Sequence, residues 1–151
     1  MHIARTVAAT CALALTAALT TAAPAAAGIM GCGGWTGAAS RGNGTDVMVK
    51  IREFSGNVAA YDRYRLDFYS YGETLKLWDG LTDGTEAVAK VWVYNKQGQL
   101  VDTDTFRTGT TQTFNLGTPD GSGDVPEGYT LRFELSGGGA TCGGREWWGR
   151  A

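Results

Sequence analysis

Arg63-Tyr-Arg-Leu-Asp-Phe-Tyr-Ser-Tyr-Gly72-Glu-Thr-Leu-Lys-Leu-Trp-Asp79-Gly-Leu-Thr-Asp83-Gly-Thr-Glu-Ala87-Val-Ala-Lys-Val-Trp-Val-Tyr94 decides the fold class of this chain. Three runs within it alternate apolar and polar residues, the period of a half-buried strand and not of a helix. Tyr64, Leu66 and Phe68 share one face. Leu75 and Leu77 share another, with Lys76 and Trp78 opposite. Ala87, Ala89, Val91 and Val93 oppose Val88, Lys90, Trp92 and Tyr94. Gly72 breaks the first joint, and Asp79-Gly80 with Asp83-Gly84 breaks the second, where tight turns need these residue types. The stretch therefore predicts a three-stranded unit at the heart of the domain.

The same alternation continues on both sides. Val47, Val49 and Ile51 mark an earlier strand, whose phase fails at Glu53-Phe54 and predicts a bulge or a strand end there. Ser55-Gly56-Asn57 then turns the chain. Asn95 to Gln99 reads as a hairpin loop, with Leu100 to Phe106 returning as a polar edge strand. Thr110 to Leu116 gives a short strand, and Tyr129, Leu131, Phe133 and Leu135 give the clearest one. Seven or eight short strands predict an all-β protein: a single antiparallel β-sandwich, immunoglobulin-like or related.

Residues 1–27 stand outside this fold. His2 and Arg5 precede an apolar stretch, Val7 to Leu19, and Ala25-Ala26-Ala27 supplies the small residues of a cleavage site. This pattern predicts an export signal cut before Gly28 and a secreted, extracellular product with no membrane attachment. The apolar stretch is shorter than the ~20 residues a spanning helix needs. Residues 28–45, rich in Gly, Ser and Ala, read as an extended amino-terminal arm, and 46–151 as the sandwich domain.

The 124 residues after the signal carry 12 basic and 15 acidic side chains. That balance gives no support to nucleic-acid binding, which shows as a basic patch. The only histidine, His2, leaves with the signal, and with it go Ser-His-Asp and Cys-His arrangements. Cys32 and Cys142 remain, and in an exported chain an even pair reads as a disulfide joining the two ends. Closing a loop of that length stabilises by roughly 4–5 kcal/mol in the chain-entropy model. Two thiolates without histidine leave a zinc site incomplete, and the alignment of Asp79 and Asp83 with a calcium loop fails at Leu81 and Lys90. Neither a metal nor a cofactor is expected. Glu73 with Asp79, and Asp102 with Asp104, are the carboxylate pairs available to acid–base chemistry. No catalytic role is assigned to them, and the protein is expected not to be an enzyme.

Binding is the expected activity. Trp78 and Trp92 lie on the polar faces of their strands, where an indole serves a protein contact or a sugar platform as well as packing. Gly28-Ile29-Met30 forms a short apolar tip, held to the domain a few residues later at Cys32, and reads either as a segment that enters a partner's cleft or as a frayed end.

The run Tyr71-Gly72-Glu73, Leu75-Lys76-Leu77, Asp79 and Asp83-Gly84, leading into Val88 to Tyr94, resembles small exported β-sandwich proteins of high-GC Gram-positive bacteria. Among these are the adaptor (B) subunits of umbrella toxin particles. The resemblance implies an adaptor that links a large repeat-containing toxin subunit to lectin subunits in an antibacterial complex. It gives the Gly28-Ile29-Met30 tip the insertion role and the sandwich surface the toxin contact. Two other readings stay open from the residues: a secreted protease inhibitor presenting the Gly117 to Gly128 loop, and a carbohydrate-binding module using the tryptophans.

Overall fold

The computed structural model describes residues 29–55, 58–116, 125–144 and 146–151. Residues 1–27 of the expected signal, Gly28, Gly56 and Asn57 of the expected turn, residues 117–124 of the candidate inhibitor loop and Arg145 lie outside the described residues. Ten antiparallel strands occur among those described: β1 Ile29–Ala38, β2 Thr45–Ser55, β3 Val58–Tyr69, β4 Thr74–Asp79, β5 Ala87–Tyr94, β6 Leu100–Thr108, β7 Thr111–Asn115, β8 Thr130–Gly137, β9 Ala140–Cys142 and β10 Trp148–Arg150. The hydrogen-bonded path runs β6-β5-β8-β10-β2-β3-β4-β7, with β1 added to β2 and β9 to β8. It folds back on itself, so that β1-β2-β3-β4-β7 faces β6-β5-β8 across one core, as the sandwich reading expects.

The alternating residues build that core. Val47, Val49 and Ile51 of β2, Tyr64, Leu66 and Phe68 of β3, and Leu75 and Leu77 of β4 are buried. They meet Ala87, Ala89 and Val91 of β5 and Leu131, Phe133 and Leu135 of β8. The rings of Phe68 and Phe133 sit 4.9 Å apart, and Phe106 and Phe114 close the opposite side at 4.8 Å. Aromatic pairs at this spacing add about 0.5–1.5 kcal/mol to the burial itself.

The central unit differs from its expected form. β3 and β4 pair as a hairpin, but β5 does not continue onto β4. β7 takes the free side of β4, and β5 crosses to the other layer between β6 and β8. The connection from Gly80 to Glu86 is longer than a two-residue hairpin turn and spans the layers instead. Asp79 and Asp83 serve as turn formers within it: their Oδ1 atoms accept the N–H groups of Leu81 and Thr85, each at 2.9 Å.

The amino-terminal arm also takes a different form. Residues 29–38 are a full strand, paired with β2 from Ile29↔Phe54 to Ala38↔Thr45. Glycines make this close seating feasible. A Cβ on Gly31 would stand 2.6 Å from the Phe54 ring, and one on Gly34 would stand 2.9 Å from Trp147. Side chains of β2 and the carboxyl end thus cross a strand that has little bulk of its own. The disulfide Cys32–Cys142, with Cα atoms 5.4 Å apart, fastens β1 to β9. The bulge expected near Glu53-Phe54 appears as register shifts against β3, at Ile51/Arg52 and at Glu53/Phe54.

Candidate binding surface

The outward residues of the β1-β2-β3-β4-β7 layer fall into cross-strand rows. One row is Gly33, Lys50, Arg65, Trp78 and Thr111; the next is Trp35, Met48, Asp67, Lys76 and Thr113. Opposite residues in such rows have touching side chains. Because β3 bulges, Asp62 turns back into this face. Its carboxylate accepts from Lys50 Nζ at 2.5 Å and from Arg52 Nε at 2.9 Å. Partial burial pushes the Asp62 carboxyl up, but the hydrogen bonds from Lys50 and Arg52 outweigh it and hold the group below its usual 3.8. Arg65 Nε reaches both oxygens of Asp67, at 2.9 and 2.7 Å, and this bond raises the guanidinium above its ordinary value.

Between these pairs lies an open hollow of about 300 Å³, lined by Asp62, Arg65, Asp67, Tyr69, Lys76 and Trp78. Trp78 is half-buried, and its ring packs on Gly80, where a Cβ would come within 2.3 Å. Tyr69 is exposed. Lys76 is exposed too, and among the described residues it makes no ion pair.

A second surface surrounds the amino end. Ile29 is 71% exposed and shares its cross-strand row with Phe54, while the exposed Val58 and Tyr61 stand in other rows, opposite Ser55 and Glu53. Met30, by contrast, packs against the core, with its terminal carbon close over Gly138. The described part of the expected Gly28-Ile29-Met30 tip is therefore divided: Met30 is seated and Ile29 projects. Met30 also forms one wall of a hollow of about 420 Å³ with Glu53, Arg63, Tyr64, Leu81, Asp83, Thr85 and Gly138. Tyr61 Oη donates to Glu53 Oε2 at 2.6 Å, and Arg63 pairs with the same oxygen. These two partners hold the Glu53 carboxyl below its ordinary value, Tyr61 more than Arg63, and the Tyr61 phenol is raised in turn.

The second expected indole, Trp92, sits on the other layer. The Arg132 guanidinium lies 3.8 Å from its ring centroid and Lys90 Nζ lies 4.9 Å away. Cations thus occupy ground that a sugar ring would need, and cation–π attraction at such a site is worth about 0.5–2 kcal/mol. Trp148 leans on Tyr94 at 5.4 Å, and Trp147 is buried against β1. Trp78, Trp92, Trp147 and Trp148 thus do not form one platform.

The carboxylate pairs separate as well. Glu73 and Asp79 stand at opposite ends of β4, ~20 Å apart by strand rise. Asp102 and Asp104 share one face of β6, but Asp104 is buried and Asp102 only partly so. Among the described residues no three His, Cys, Asp or Glu side chains gather in a metal-binding group. The residues that sequence reasoning missed are Asp62, Arg65 and Asp67: Arg65 and Asp67 share a face by simple alternation and pair two residues apart, whereas the partners of Asp62 follow from a bulged register that no local pattern shows. Compared with family models, with curated proteins and with solved structures, the chain has no significant match.

Proposed function

We propose that this chain is an exported, non-enzymatic binding subunit, an adaptor that joins a large repeat-containing toxin subunit to lectin subunits in an antibacterial complex. The observation that carries this reading is the placement of β1. The strand lies at the outside of its layer, paired with β2 alone, and starts at the projecting Ile29. A projecting apolar side chain at the outer edge of a sheet offers a partner both apolar contact and a strand to pair with. β1 also lacks charged side chains, which elsewhere discourage pairing at a sheet edge. The disulfide at Cys32 fixes the start of β1 in place, so little ordering entropy remains to be lost on docking.

The test is recovery of tagged protein from its host's culture medium, with co-purified chains identified by mass spectrometry. The adaptor reading expects a large toxin-like chain together with lectins. Ile29→Asp, which leaves the core untouched, should lose the lectins and keep the toxin chain. Recovery of the protein alone, or lectins retained by Ile29→Asp, would overturn the reading.

A further inference from the structure

We propose that the hollow on the outer face of β3 and β4 is a binding site for a carboxylated saccharide, whose ring lies against Trp78 and Tyr69 and whose carboxylate meets Lys76 Nζ. This site lies apart from the amino end used above and stands whether or not the chain is an adaptor.

Charge comes first. The hollow itself is lined by Asp62, Asp67, Arg65 and Lys76, and Lys50 and Arg52, which pair with Asp62 from outside the lining, bring the cluster to four cations against two carboxylates. Both carboxylates are engaged by neighbours, and Lys76 is left with no ion pair among the described residues. The whole chain is net negative at −2, so this positive excess is local. An anion is the complement of such a spot, and an exposed ammonium without an ion pair gives it a point of attachment.

Shape narrows the anion. The hollow, about 300 Å³, is at the small end of ligand sites. Trp78 and Tyr69 offer apolar ring surface, and Gly80 holds the indole in place. Around them stand the Asp62 and Asp67 carboxylates and the Arg65 guanidinium, with the exposed hydroxyls of Thr111 and Thr113 opposite Trp78 and Lys76. A rim of donors and acceptors around aromatic surface suits a ring with C–H faces and hydroxyl edges. An aliphatic acid leaves the rim unused, and a neutral sugar leaves Lys76 unused.

The test is calorimetric titration of the intact folded protein with tetragalacturonate, with cellotetraose as the neutral sugar and tetraglutamate as the acid without a sugar. Tetragalacturonate is expected to bind at least about tenfold tighter than either control, and more weakly as salt rises. Lys76→Gln, a change at an exposed residue, should lower that affinity about tenfold without moving the unfolding temperature. Trp78→Ala should lower it as far, and Ile29→Asp should leave it unchanged. Absence of tetragalacturonate binding overturns the proposal. Equal binding of cellotetraose removes the role of Lys76, equal binding of tetraglutamate removes the sugar, and full affinity in Lys76→Gln removes the site.

Discussion

Replacing both bridged cysteines, as Cys32→Ala with Cys142→Ala, tests the most consequential tie in the molecule. The bridge spans a sequence separation of 110. For a loop of that size the chain-entropy relation gives a loss of about 16 cal/mol/K in the unfolded chain, or about 5 kcal/mol at 25 °C. Spread over a domain of ~120 residues, whose unfolding entropy is ~0.25 kcal/mol/K, this corresponds to a fall of about 20 °C in Tm. Urea unfolding followed by tryptophan fluorescence, with thermal unfolding by circular dichroism, measures both. The double variant should also show a steeper m-value, because its unfolded chain exposes more surface once it is no longer looped. The two effects belong together. A loss under ~1 kcal/mol with an unchanged m-value would refute the argument and place the value of the bridge elsewhere.

Three further outcomes follow from the core and the charged face. Phe68→Ala removes a fully buried ring from its contact with Phe133 and should cost about 3–5 kcal/mol, read as a drop in urea midpoint. Gly137→Ala would put a Cβ 2.7 Å from the Tyr64 ring and should cost about 1–3 kcal/mol by the same assay. Asp62→Asn should cost about 1 kcal/mol or less at neutral pH, since the ion pairs are partly solvated. The folded-state value of Asp62 lies below the unfolded 3.8, so its contribution is complete above that value and fades as pH falls through the lowered one. Wild type and Asp62→Asn should therefore differ most near neutrality and converge in strong acid; a gap that persists in acid would contradict the ion-pair origin.

The faces of the strands were legible from sequence and their neighbours were not. Leu66, Leu75, Val91 and Phe133 announce their burial by position, because alternation depends only on the pleat. Nothing local says that β5 leaves β4, since any two half-apolar strands can pair; that choice rests on β7 and β8, far along the chain. β1 escaped because its glycines carry no hydrophobic signal, and a glycine strand reads as a loop until its partner is known. β9 and β10, three residues each, are too short to show any period. The candidate hollow was half visible. Trp78 and Lys76 lie on a polar face with Arg65 and Asp67 opposite them, whereas the Asp62 pairing depends on the bulge in β3.

The bridge between Cys32 and Cys142 also governs how the molecule would bear load. Pulled between residue 29 and residue 151, only the stretches outside the bridge can extend: 29–31 and 143–151, about a dozen residues, or ~40 Å at full stretch. The core strands β2 to β8 lie inside the covalent loop, and the force passes through one sulfur–sulfur bond and not through their hydrogen bonds. Reduction would release more than 100 further residues and ~400 Å of length. Oxidised, the domain behaves as a short, stiff link between whatever is attached at its two ends; reduced, it becomes a long and compliant one.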